Sequence, residues 1–474
     1  MIVALAVAAL AFGMRALVSD FLPVIQPDGV VYVTVAKQFQ ATGSPFDPLF
    51  HPLYPMCIAL AQPLIGDWET AGRLVSAFFG ALVILPAFAL ARSIVGRQAA
   101  LLSAVFIAVH PRLVQNSASV LCEATYTFVL VCGVLAARRG LVSGPRALIP
   151  FAGLCLGLAY LVRPEGALYL VGLVVVVLFM IVTGRERASA VLPWLGGAVL
   201  VFAVVVAPYV WYLAEVWGHV TLSGKIDHTL PLSIGTAGPS PLPMRVLENV
   251  LLFQKYAVPD LLPWILLLLV LPGVLARGRT TGWLGRDAVL LIAALPPFAS
   301  LAFHVEPRIF LPILPFILPF AAVGTLWAAV TLTDARRGWR WSLAIALVVA
   351  LVLVPWTFQP VLRPDAGAAL YRQAARWVAE TQPRDAVLLD RKPLVAFYSE
   401  RRWVPLPRVG PEELLAAARQ AGARLVVLDS REFFFDRPGL VPLLWGPPPP
   451  GLDVLRDFDA APADRLRILV VNGG

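Results

Sequence analysis

The chain has 474 residues, of which 59% are hydrophobic and only 14% charged, with a formal net charge of +9. Its mean hydropathy is +0.79, which excludes a water-soluble enzyme and describes a polytopic membrane protein. The positive balance is no nucleic-acid signal, since the basic residues collect in loops between apolar segments, as they do in membrane proteins.

The first element, 1–19, is an apolar span without a basic flank or a small-residue cleavage site, as in a retained first helix. The stretch Gln26 to Pro55, QPDGVVYVTVAKQFQATGSPFDPLFHPLYP, is neither apolar enough to span a bilayer nor polar enough for a plain loop. Within it Asp28, Val31, Tyr32, Val35, Ala36 and Phe39 recur at i, i+3, i+4 spacing. That spacing predicts a short amphipathic helix with Asp28 in its first turn, where a carboxylate suits the helix dipole. Such a helix on a membrane surface has two readings, an Asp that only caps it or one that works at the membrane boundary.

About eleven segments are long and apolar enough to cross a bilayer. They are 1–19, 70–91, 98–112, 119–137, 147–162, 165–183, 190–213, 258–276, 287–304, 309–332 and 341–358. Residues 53–65, with Pro55 and Pro63 at the ends, suit a re-entrant or surface helix better. A cytoplasmic N-terminus places the Arg-rich loops 92–97, 138–146, 185–187, 277–286 and 336–340 inside. The first loop (20–69), 113–118, the turn at 163–164, 214–257, 305–308 and everything after 359 then lie outside. The four cysteines, Cys57, Cys122, Cys132 and Cys155, sit in or beside apolar segments without the spacing of a disulfide framework.

From Leu362 onward the apolar runs shorten and charges return. Segment 366–382 follows an N-cap signal at Asp365, and 411–422 also has helical character. Runs 386–390, 424–430, LDVLRDFD and RLRILVV are predicted strands. The expected organisation is a membrane domain over 1–360 and a small extracytoplasmic α/β domain over 361–474. No glycine-rich phosphate loop follows either early strand, so a nucleotide site there is not indicated.

Ionisable groups near a bilayer are costly and mark function. In this topology Asp28, Glu123, Glu165, Glu306, Arg163, Lys225 and Arg308 all fall on or near the outer face. So do His51, His110, His219, His228 and His304. Each taken singly fits a satisfied structural role; together they describe a reaction chamber at the outer membrane–water boundary.

Asp28 four residues before Tyr32, in a first outer loop ending in FHPLYP (50–55), resembles the GT-C glycosyltransferases that use lipid-linked sugars. The bacterial protein O-mannosyltransferase and lipid A aminoarabinose transferase branch, glycosyltransferase family 39-like, is the nearest likeness. SVLCEATYTF around Glu123, RPEG (163–166) and EPRIFLPILPF (306–316) agree with it. The resemblance implies single-displacement transfer, with inversion, from a polyprenyl-phosphate sugar to an acceptor hydroxyl of a lipid, glycan or protein. It implies Asp28 as general base, with Glu123 as the second catalytic carboxylate. Arg308, Arg163 and Lys225 would hold the donor phosphate. Tyr32, His51, Tyr54, Glu165, His228 and Glu306 would contact substrate. Two departures leave the sugar and any metal open: Gly29 follows Asp28 where two acidic residues adjoin in eukaryotic relatives, and His51 stands where others have an acidic–basic pair. No spacing fixes a cofactor, and a divalent ion on Asp28, Glu123 and His51 or His228 stays open. The alternative class is a transporter or flippase, which would carry internal repeats and charges deep within broken spans; neither is visible.

Overall fold

The computed structural model of the chain describes residues 1–225, 242–280, 301, 306–332, 338–431, 433, 437–461 and 463–472. They form two compact units, one of Met1–Ser19 with Tyr32–Phe358 and one of Asp20–Val31 with Gln359–Gly474.

The first unit is helical. Helix α1 (Ile2–Asp20) buries Ala4, Ala8, Ala11, Arg15 and Val18 along one stripe. Small residues there let a neighbouring backbone approach closely, as helix packing in lipid requires. Helix α2 (Pro27–Thr42) is the amphipathic element expected from its spacing, with Asp28 in the first turn. Tyr32, Val33, Val35 and Ala36 are buried while Thr34 and Lys37 face outward. Helix α3 (Leu53–Ile65) is the short apolar segment, with Pro55 in its first turn and Pro63 in its last. Helices α4 (Trp68–Leu82) and α5 (Ile84–Val95) together form the 28-residue apolar stretch Trp68–Val95.

Three boundaries differ from the periodicity reading. The span expected at 98–112 ends at Val109 as α6 (Arg97–Val109), because Pro111 lacks an amide proton and opens a new helix, α7 (Pro111–Ser117). The outer loop expected at 113–118 is therefore mostly helical. Helix α8 (Glu123–Val142) starts four residues later than the 119–137 span, after a turn at 119–122, which puts Glu123 in its first turn. Helices α9 (Leu148–Tyr160) and α10 (Gly166–Val182) are joined by a tight turn. A Cβ on Gly166 would lie 2.3 Å from the Tyr160 nitrogen, so only glycine allows that turn. Helix α11 (Ala188–Trp217) runs for 30 residues and stops at Gly218, whose φ is 74°.

Six described helices are long and apolar enough to cross a membrane, or seven if the pair Pro243–Leu261 and Trp264–Ala276, bent by 99°, counts as one span. Four others are apolar but shorter: Leu53–Ile65, Arg97–Val109, Leu148–Tyr160 and Gly166–Val182. The expected span 287–304 lies outside the described residues. After it come a 3-10 helix, Pro307–Ile313, and the helices Leu314–Leu332 and Gly338–Thr357.

The second unit is α/β. Strands β1 (Val387–Asp390), β2 (Arg402–Pro405), β3 (Leu425–Asp429), β4 (Leu452–Ala461) and β5 (Asp464–Val471) form one sheet in the order β2-β1-β3-β5-β4. The β2-β1-β3 half is parallel and the β3-β5-β4 half antiparallel. Every residue of β3 is buried; its Val426 and Leu428 lie in the core with Leu389, Phe433 and Leu469. Helix Ala366–Thr381 is capped as expected, with Asp365 accepting from the Ala368 amide at 2.9 Å. Strand β2 was not visible in the sequence. The segment 20–31 joins this unit through the Ile25 amide, which donates to the Tyr398 hydroxyl at 2.7 Å, and through Arg372, which donates to the Pro23 carbonyl.

Candidate active site

Tyr32, on α2, fixes the site from below. Its hydroxyl donates to the Cys122 sulfur at 3.0 Å, and its ring meets Phe50 and Tyr54 edge-on, at 5.2 and 4.9 Å between centroids. Tyr54 is fully buried, with its hydroxyl 2.7 Å from Ser76 Oγ. The loop between α2 and α3 is folded by Asp47, whose Oδ1 accepts from the Leu49 and Phe50 amides at 2.8 Å each, an Asx turn. Next to it, His51 is wedged between Tyr160 and Tyr209, with ring centroids 5.0 and 4.8 Å away. Among the described residues, neither of its ring nitrogens meets a partner at hydrogen-bonding geometry. Burial pushes the imidazole down to about 3, with the Tyr160 backbone and the charge of Glu165 opposing that shift only in part. His51 is therefore a neutral, aromatic-packed ring.

Above this aromatic floor runs a chain of alternating charge. Glu123, only 2% exposed, accepts from Arg163 Nη1 at 2.8 Å. Arg163 turns its other edge to Glu165, donating from Nη2 to Oε1 at 2.9 Å and from Nε to Oε2 at 3.3 Å. On the far side Arg308 Nε lies 2.5 Å from Glu306 Oε1 and 3.8 Å from Glu123 Oε1. Burial alone would raise the Glu165 carboxyl, yet the Arg163 guanidinium holds it at about 2. Burial would likewise lower Arg163, but Glu165 and Glu123 raise it well above the usual arginine range. Arg163 and Glu165 therefore stay ionised near neutral pH. Lys225 stands apart, its Nζ 4.2 Å from the centre of the Phe50 ring.

Three helix starts create this arrangement. Glu123 sits in the first turn of α8, Glu165 at the head of α10, and Glu306 just before the 3-10 helix. Carboxylates at such positions face unpaired backbone amides and the positive end of the dipole. Tyr32, His51, Tyr54, Glu123, Arg163, Glu165, Lys225, Glu306 and Arg308 all belong to the first unit. Asp28 heads α2 and is half-buried, one helical turn before Tyr32, in the segment counted with the second unit. His228 and His304 lie outside the described residues.

Asp47, Tyr160 and Tyr209 also shape the site but lie outside the quoted motifs, whereas Phe50 and Cys122 lie inside FHPLYP and SVLCEATYTF without having been singled out; the Asp-x-Leu-Phe turn was the legible signal for Asp47. The described residues do not fit a resident metal. No group of three or more His, Cys, Asp or Glu side chains among them is placed to share an ion, and Glu123 Oε1 already faces two guanidiniums.

Comparison with known proteins bears on the fold. Residues 47–212 match the family model of the dolichyl-phosphate-mannose-protein mannosyltransferases. No protein of curated function matches the chain in sequence. Among solved structures, the chain resembles ArnT from Cupriavidus metallidurans bound to undecaprenyl phosphate, at 15% identity and a TM-score of 0.63, over 98% of this chain and 97% of that one. It also resembles the archaeal oligosaccharyltransferase AglB from Archaeoglobus fulgidus, in complex with an inhibitory peptide and a dolichol-phosphate. That match has 15% identity and a TM-score of 0.60, over 93% of this chain and 72% of that one. A third likeness, to the mycobacterial arabinofuranosyltransferase AftD, has 16% identity and a TM-score of 0.52, over 98% of this chain and 40% of that one. The fold is that of the GT-C membrane glycosyltransferases.

Proposed function

We propose that this protein transfers a sugar from a polyprenyl-phosphate donor to an acceptor hydroxyl, with inversion, at the outer face of the cytoplasmic membrane. The observation that carries this reading is the match in fold, over nearly the whole of both chains, to an enzyme structure bound to undecaprenyl phosphate. In this reading the N-terminus is cytoplasmic, residues 1–360 are the membrane catalytic domain, and residues 361–474 lie outside the cell membrane. The acceptor is a lipid, a glycan or a protein.

Each residue then has a task. Asp28, at the head of α2, takes the proton of the acceptor hydroxyl as the bond to the anomeric carbon forms. The leaving phosphate is a stable anion and needs positive charge rather than a proton. Arg308, in this reading at the membrane boundary, would hold it, since its planar fork suits phosphate oxygens. Lys225, held by a ring face and by no carboxylate among the described residues, is the second cation. Glu123 supplies a buried acceptor for a donor or acceptor hydroxyl, and Tyr32, Tyr54 and His51 form the floor beneath the sugar.

The test is direct. Purified protein in detergent or lipid is given a panel of undecaprenyl-phosphate-linked hexoses and pentoses, and release of undecaprenyl phosphate is followed. Consumption of one donor, abolished by Asp28→Asn, is the expected result. Passage of intact lipid-linked sugar across vesicles, with no donor consumed, would establish the transporter alternative.

A further inference from the structure

We propose that Glu165 is a positioning residue: it holds the Arg163 guanidinium in a one-point contact with Glu123, and so keeps the second Glu123 oxygen open to substrate. This rests on the glycosyltransferase reading above and deepens it.

The guanidinium carries five N–H donors in one plane. Its two-donor edge, Nε and Nη2, is turned to Glu165, at 3.3 and 2.9 Å. Only Nη1 is left for Glu123, donating to Oε1 at 2.8 Å. The plane is further fixed by the Tyr126 ring, whose centre lies 5.9 Å from Arg163 Cζ. Arg308 Nε, at 3.8 Å, also approaches Oε1. Both cations thus converge on the same oxygen.

Glu123 Oε2 is consequently a buried carboxylate oxygen that accepts no hydrogen bond among the described residues. Such an atom is expensive to maintain unless a ligand supplies the donor. The residue lines a narrow cleft shared with Gly80, Val83, Asn116, Ser117, Thr127 and Leu311, in which the Ser117 and Thr127 hydroxyls already donate to the Leu113 and Glu123 carbonyls. A hydroxyl of the sugar or the acceptor is the complementary group.

Without Glu165 the geometry changes. Arg–carboxylate pairs favour a two-point grip, with two parallel N–H bonds to the two oxygens. Arg163, released from Glu165, would turn that edge onto Glu123 and occupy Oε2. Glu123 would stay packed, yet be closed to substrate. Glu165 therefore acts by competing for the fork.

A cycle of variants tests this with the undecaprenyl-phosphate sugar that the wild type consumes in the panel above. Glu165→Gln is expected to lower kcat by about tenfold to a hundredfold, a loss typical of misplaced catalytic groups, with the donor KM within about twofold. Glu165→Asp, which keeps two carboxylate oxygens, should recover most of the rate. Glu123→Gln combined with Glu165→Gln should be no slower than Glu123→Gln alone, because one acts only through the other. Losses that multiply in the double variant would overturn the proposal, as would equal impairment of Glu165→Gln and Glu165→Asp. If Glu165→Gln does not accumulate in the membrane, the cycle is run on Arg163→Lys, which has no two-donor edge. On that background Glu165→Asp should cost nothing further, and a further loss would again overturn it. Full activity in Glu123→Gln would overturn the positioning role while leaving the glycosyltransferase reading intact. A wild type that consumes no donor would instead strike at that reading.

Discussion

The guanidinium of Arg15, fully buried on α1, closes the end of α6 by donating to the Ala108 carbonyl at 3.1 Å. The same side chain donates to the Ile107 carbonyl at 3.3 Å and to Ser117 Oγ at 2.9 Å. A helix stopped at a proline leaves its last carbonyls without amide partners, and inside a bilayer no water replaces them. Arg15→Leu should therefore lower stability by about 2–4 kcal/mol through the orphaned acceptors. Thermal unfolding in detergent reads this, and equal melting temperatures for the two proteins would remove the capping role.

Asp28 carries the proposed proton transfer. Asp28→Asn keeps the size of the side chain at the helix head but removes its basicity. Transfer should fall by roughly two to four orders of magnitude, while undecaprenyl phosphate binding stays near that of the wild type. A variant that retains most of its transfer rate would sink the assignment and move the role to Glu123.

The turn that presents Arg163 and Glu165 depends on Gly166, where a Cβ would sit 2.3 Å from the Tyr160 nitrogen. Backbone cannot yield as a flexible side chain can, so Gly166→Ala should cost about 1–3 kcal/mol and lower transfer more than tenfold. Gly196, where an added Cβ would meet nothing within 4 Å, is the control, and Gly196→Ala should be close to neutral. Similar behaviour of the two variants would show that the turn tolerates displacement.

His51 makes a pH signature. Its folded value near 3 lies below the ordinary 6.5, so the unfolded chain binds the extra proton between those limits. Its contribution to stability is thus intact above pH 6.5 and is lost as the pH falls. One such group changes stability by about 1.4 kcal/mol per pH unit. Glu165, lowered from 4.5 to about 2, weakens only below pH 4.5, which leaves the window from 6.5 to 4.5 to histidine. His51→Gln should therefore lose less stability than the wild type between pH 6.5 and 5, measured by thermal melts. Parallel pH profiles would mean that the ring protonates without strain.

The amphipathic face of α2 was legible because its apolar residues recur at helical spacing, and the capped helix at Ala366 because Asp365 precedes it. Strands β1 and β3 were legible as continuous apolar runs, which a strand buried on both faces must be. Strand β2 was not, since Arg402, Trp403, Val404 and Pro405 form an edge with little burial and no alternation. The break at Pro111 was written in the sequence, but hydropathy outweighed it. Glu123, Arg163, Glu165, Glu306 and Arg308 could be named as candidates from the sequence, and the structure brings these five together. Their pairing could not: nothing in RPEG says that its arginine faces its own glutamate as well as Glu123, because that follows from the tight turn at Gly166.

The unit that holds Asp28 is assembled from two pieces of chain separated by more than three hundred residues, 20–31 and 359–474. A ribosome delivers the first piece long before the second exists. Ile25 cannot meet Tyr398, nor Pro23 meet Arg372, until the segment after Gln359 has been synthesised. Contacts so distant in sequence form late. In the proposed enzyme, the base would settle into place only at the end of biosynthesis, so that nascent chains already threaded through the membrane would remain inert.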